Sequence, residues 1–105
     1  MGNLNKLIGT IAGSATTSSA FPLDGALLLE VCLDSGFDGT SLTPQTSDDG
    51  VTYQTVQKNG ADLTWTVAAS KNINVAADQI IANYVRYVAG SQTGATTIIS
   101  RSLQL

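Results

Sequence analysis

A chain of 105 residues with 43% apolar side chains is long enough to fold as one domain with its own core, expected to span residues 1–105. Only 12% of the residues are charged, against a typical figure of about 25%, and the net charge is −3; Ser, Thr, Gly and Ala fill the gap. The basic residues Lys6, Lys58, Lys71, Arg86 and Arg101 are scattered, which excludes a counterion-displacing patch in sequence order and argues against nucleic acid as a partner.

The opening "MGNLNKLIGTIAGSATTSSA" places Lys6 before an apolar run, but Gly9, Thr10 and Gly13 interrupt that run, so no signal peptide is expected. No window is long and apolar enough to predict a membrane span. Residues 1–20 read as an N-terminal strand, Leu4–Ala12 with Leu7 and Ile11 on one face, followed by a flexible Ser/Thr/Gly connection. In "AFPLDG", Phe21 and Leu23 share a face and Pro22 marks an edge or a strand end. Ala26–Asp34 alternates as a strand with Leu27, Leu29, Val31 and Leu33 on its apolar face, and "DSGFDG" closes it as a loop.

"LTPQTS" predicts a strand with Leu42 inward, ended by the turn residues of "SDDG". "VTYQTV" is the next strand, and Asn59-Gly60 predicts a tight hairpin. "LTWTVAA" follows as a strand with Leu63, Trp65, Val67 and Ala69 on the core side. One helical turn is expected around Ala77–Ile81, then strands at "YVRYVAG" and "ATTIISRSLQL" joined by "SQTG". Seven or eight short strands with at most one helical turn predict an all-β fold, an antiparallel β-sandwich or jelly roll.

The chemistry-bearing residues are few. There is no histidine, which excludes Ser–His–Asp and Cys–His catalysis, and with one cysteine it leaves no zinc site. That cysteine, Cys32, lies in "LLLEVCLD" and is expected to be a buried, inert thiol. Glu30 is the single glutamate, and Asp24, Asp34, Asp38, Asp48, Asp49 and Asp62 sit in turns, where turn formation accounts for each. Aligning Gly50 with the glycine of a calcium loop puts Val56 where a bidentate glutamate belongs, so that motif fails. These residues predict no enzyme, no catalytic residues, no cofactor and no metal. A sugar-binding cleft is the alternative, and Phe37, in its loop between Gly36 and Asp38, is its candidate platform.

"SDDGVTYQTV" followed by "NYVRYVAG" resembles the paired signature of discoidin-type, galactose-binding-like sandwiches, through Ser47, Asp49, Gly50 and Tyr53 and then Tyr84, Val85 and Arg86. Asn83 stands where that family usually has arginine. Over nearly the whole chain, the order "ATTSSAFPLDG", "LDSGFDGTSLTPQTSDDGVTYQTV", "DLTWTVAASKNINVAAD", "NYVRYVAGSQTGATTIISRSL" is similar to small structural proteins of tailed-phage virions. That resemblance implies a capsid-decoration, head-fibre or tail-associated protein, made in the host cytoplasm and located in the virion. Its partners would be itself and other virion proteins. The galactose-binding likeness implies the alternative, a carbohydrate-binding module serving adsorption to a host surface.

A weakly charged, hydroxyl-rich surface is cheap to desolvate and suits subunit packing, though it equally suits a solvated secreted β domain. The terminal segments are apolar and strand-like, with Lys6 and Arg101 as thin protection if both lie at sheet edges. Leu4, Leu7, Ile8, Leu103 and Leu105 are therefore candidates for an interface in a dimer or trimer. The competing expectation is that the two terminal strands pair with each other inside one monomer.

Overall fold

The computed structural model describes residues 3–75 and 78–104. The two terminal strands, β1 (Asn3–Ile11) and β11 (Thr96–Gln104), pair antiparallel with each other, Asn3 opposite Gln104 and Ile11 opposite Thr96. The pairing of termini inside one monomer is thus the arrangement found. Between them lie β2 (Phe21–Pro22), β3 (Leu27–Leu33), β4 (Ser41–Ser47), β5 (Gln54–Thr55) and β6 (Gln57–Lys58). β7 (Ala61–Asp62), β8 (Trp65–Thr66), β9 (Asn72–Asn74) and β10 (Tyr84–Ala89) complete the chain order.

One sheet has the order β1-β11-β3-β9; the second has β2-β10-β4-β5, with β8 also on β4; β6 and β7 form a separate hairpin. All pairings are antiparallel. The two sheets face each other across a single core. Ile11, Leu28, Val31 and Ile98 come from one side, and Phe21, Leu42, Trp65, Val85 and Tyr87 from the other. The fold is the all-β sandwich that the alternation predicts.

Tyr87 is the centre of that core. It is fully buried, with Phe21 at 5.2 Å and Trp65 at 6.3 Å between ring centroids, both tilted as aromatic quadrupoles prefer. Its hydroxyl reaches across the sandwich to the Ser100 hydroxyl at 2.7 Å, so β10 and β11, in opposite sheets, are joined by one buried hydrogen bond. Ser100 is also fully buried; its small side chain leaves room for the phenol and supplies the partner a buried phenol needs.

Three expectations need correction. Eleven strands are present among the described residues rather than seven or eight, because Val51–Ala69 breaks into pieces. The amide of Leu63 donates to the carbonyl of Val56 and that of Val67 to Thr40, so "LTWTVAA" keeps a ladder only at Trp65–Thr66. In β3 the side-chain alternation slips: Leu28, Val31 and Leu33 are buried while Leu27 and Leu29 are half-buried. The register of β3 on β11 shifts between Arg101 and Ser102, and the extra residue of that bulge reverses the faces. Of the helical turn expected at 77–81, Ala77 lies outside the described residues. Asp78 is a 3-10 residue whose amide donates to the carbonyl of Val75, and Ile81 makes an isolated bridge to Leu27.

The Asn59-Gly60 hairpin forms as expected. Both residues have positive φ, 57° and 80°, the mirror-image turn that matches strand twist. A Cβ added at Gly60 or at Gly94 would meet nothing within 4 Å, and only Gly60 has positive φ. Gly60→Val should therefore destabilise the domain by about 1–2 kcal/mol, the cost of forcing a side chain into a left-handed backbone, while Gly94→Val stays near neutral. Chemical denaturation of the two variants checks this, and equal losses would refute the turn assignment.

Candidate functional site

Several polar groups of the loops are taken up in holding the sandwich together. "DSGFDG" joins β3 to β4 and "SQTG" joins β10 to β11, so both loops cross between sheets and meet. Gln92 is buried where they meet: its Nε2 donates to the carbonyls of Gly36 (2.9 Å) and Gly94 (2.7 Å), and its Oε1 accepts from the amide of Asp38 (3.0 Å). The Asp38 carboxylate accepts from the Thr93 hydroxyl at 2.6 Å and the Thr93 amide at 3.1 Å. Asp34 accepts from the Thr96 hydroxyl and from the amides of Gly36 and Thr97. Gly39 allows this approach, because a Cβ there would collide with the carbonyl oxygen of Ser91.

This stitching overturns the expected exposure of Phe37. The residue is 1% exposed and belongs to the core, because the loop carrying it is pulled inward by Asp34, Asp38 and Gln92. It cannot serve as a sugar platform. Trp65 is buried too, and its indole N–H donates to Asp78 at 3.1 Å. Tyr53 and Tyr84 remain half-buried, and the Arg86 guanidinium covers the Tyr53 ring at 4.1 Å.

A shallow hollow of about 220 Å³ lies at the "SDDG" turn, lined by Thr46, Ser47, Asp48, Asp49, Thr52 and Gln54. Its Asp49 carboxylate is engaged internally, accepting from the amides of Val51 and Thr52, both at 2.9 Å, and from the Ser47 hydroxyl at 3.0 Å. Among the described residues no three acidic or thiol side chains converge as a metal site would require. The hollow is a by-product of a well-made turn.

The outward face of the sheet β1-β11-β3-β9 is different in kind. Leu4 lies beside Leu103, Leu103 beside Leu27, and Leu27 bridges to Ile81. Two residues further along β1 and β11, and three along β3 because of its bulge, lies the row Lys6, Arg101, Glu30 and Asn74, with Arg101 paired to Glu30 at 3.0 Å. A third row joins Ile8, Ile99, Cys32 and Asn72. Leu4, Ile8 and Ile81 are 73%, 65% and 60% exposed, so two rows with apolar members flank one ionic row on an uncovered sheet. Cys32 is half-buried here rather than buried. Its thiol donates to Glu30 and accepts from Arg101, and desolvation, then Glu30, pushes it above the usual thiol range, which disfavours the thiolate.

Of the interface candidates, Leu4 and Ile8 project outward on this face, with Leu103 half-buried beside Leu4. Leu7 faces the other way and packs against the core, as alternation along β1 demands, so it is removed from the set. Leu105 lies outside the described residues. Arg101 guards no edge: β11 sits between β1 and β3, which leaves β1 as the edge at that side. Sequence reading missed Ile81, Ile99 and Leu27 as members of the face, since only the register between strands distant in the chain brings them together.

No family model matches this chain, and no curated protein matches its sequence.

The loop carboxylates make stability pH-dependent. The Thr96 hydroxyl holds Asp34 below the usual carboxylate range, the Thr93 hydroxyl does so for Asp38, the amides of Thr52 and Val51 for Asp49, and Lys58 with the Trp65 N–H for Asp78. A depressed folded pKa means the unfolded chain binds more protons as pH falls, so this stabilisation is complete above the unfolded values near about 4 and lost below them. The denaturation midpoint should be level from about pH 7 to 5 and fall below about pH 4, less steeply in Asp38→Asn. A midpoint unchanged down to about pH 3 would contradict these ties.

Proposed function

We propose that the chain is a non-enzymatic structural component of a phage virion, a capsid-decoration, head-fibre or tail-associated protein that acts by packing against other subunits. The observation that carries this reading is the contrast between the two kinds of surface. Asp34, Asp38, Asp49 and Asp78 are engaged in ties within the chain, while an apolar sheet face with Leu4, Ile8 and Ile81 stands open. A surface of that kind is suited to being covered by protein. The ordered likeness to small virion proteins supplies the setting, and the partners it implies are further copies, as a dimer or trimer, and other virion proteins.

The sugar-binding alternative has lost the residue on which it was built, Phe37, to the core. Mass spectrometry of particles purified by density gradient from a host producing the phage tests the virion reading. The expected result is the chain in stoichiometric proportion to the major head or tail proteins. Its absence from intact particles, with binding on a glycan array, would overturn that reading in favour of the sugar module.

A further inference from the structure

The geometry points to a twofold dimer in which the open edge of β1 pairs antiparallel with β1 of a second copy, with Lys6 on the dyad. This deepens the subunit-packing reading and takes its biological setting from it. The direction of the backbone groups in β1 comes from Thr10. Its amide donates to Ser19 Oγ at 3.1 Å and its carbonyl accepts from the Ser19 amide at 2.9 Å, and Ser19 is not part of β11. In an antiparallel strand the N–H and C=O of one residue point to the same side and alternate along the chain. Leu4, Lys6 and Ile8 therefore present theirs to the same free edge as Thr10, and among the described residues these groups have no backbone partner there.

The protein's own chain caps this edge at Thr10 and leaves it open from Leu4 to Ile8. Pairing that segment with itself puts Leu4 opposite Ile8 of the second copy, Lys6 opposite Lys6 and Ile8 opposite Leu4. Every edge-facing group of the open segment then finds a partner. A slide of one residue would set outward side chains against inward ones. A slide of two one way brings in Thr10, whose groups are taken; a slide of two the other way sets Leu4 against Lys6, so that Leu4 and Ile8 no longer cover each other. The favoured register covers Leu4 and Ile8, two of the most exposed large apolar residues, with each other, and joins the two outward faces into one continuous sheet.

Lys6 opposite Lys6 is the cost of this register, and it limits the dimer. Like charges directly across a ladder repel, and the neighbouring Arg101 is already neutralised by Glu30. A contact of Leu4–Ile8 with itself is also short beside the about 20–30 residues a side of a standard interface, so the solution dimer is a weak one. It would tighten where copies are concentrated on a common surface.

Sedimentation equilibrium of wild type, Lys6→Glu and their equimolar mixture tests the pairing. The side chain of Lys6 is exposed and makes no ion pair among the described residues, so the variant should keep the fold, verified by circular dichroism. Each protein alone should dimerise weakly, and the mixture should associate about tenfold more tightly as a heterodimer, because the dyad then joins Lys to Glu. Ile8→Asn should weaken all three. Equal association of the mixture and the separate proteins would overturn the register. Monomers throughout, up to millimolar concentration, would overturn the dimer and leave the edge to a strand from another protein. A monomer still found in particles would defeat this pairing alone, whereas a charge-selective dimer absent from particles would defeat the virion setting alone.

Discussion

The buried contact between Tyr87 and Ser100 is the constraint around which the rest of the sandwich is arranged. A phenol at the centre of an apolar core is tolerable only if its hydroxyl is satisfied, and the Ser100 hydroxyl, at 2.7 Å in the opposite sheet, satisfies it. Desolvation pushes Tyr87 far above the usual range, so the group stays neutral at any ordinary pH. Around the ring are Phe21 and Trp65, the first held by pairing of β2 with β10 and the second by pairing of β8 with β4. The backbone amide of Tyr87 donates to Ser18 Oγ, which brings the segment after β1 against β10 and leads it on to β2. One residue thus coordinates the two sheets and the crossing of the chain between them.

The ends of the sandwich follow from the same economy of polar groups. With few charges in the chain, several loop carboxylates have defined structural partners: Asp34 and Asp38 lock the two crossing loops, and Asp78 ties the exposed hairpin through Lys58 and the core through Trp65. Among the described residues, backbone at the edge of β1 is left without a partner and apolar side chain on the outward face beside it is exposed. A molecule that uses its polar side chains internally and leaves a sheet edge and face open is built to be completed by other protein surfaces. The proposed packing role and the Lys6-centred pairing both rest on this division.

The long strands were legible in the sequence because period-two alternation is a local signal, and β1, β4, β10 and β11 lie where it put them. The core positions of Leu42 and Trp65 were legible for the same reason, as was the Asn59-Gly60 turn, whereas both faces of "YVRYVAG" carry bulk and alternation alone did not single out Tyr87. Long-range register was not. The bulge in β3 reverses a face without changing composition, and Phe37 is drawn inward by Gln92, which lies far along the chain in another loop. Ser100 reads locally as a solvent-facing hydroxyl within "IISRSLQL"; only the placement of Tyr87 opposite it makes it a core residue. Of the candidate face, Leu4 and Ile8 were visible as exposed apolar residues of a terminal strand, while Ile81 and Leu27 join them through pairings that no short window contains.

A double-mutant cycle on Tyr87→Phe and Ser100→Ala tests the central claim most directly, with unfolding followed by urea denaturation. Each single change leaves one buried hydroxyl without its partner and should cost about 1–3 kcal/mol. The double change removes both hydroxyls, so its cost should fall short of the sum by on the order of 1 kcal/mol or more. Strictly additive losses, or single variants as stable as wild type, would show that the two sheets are not held through this contact.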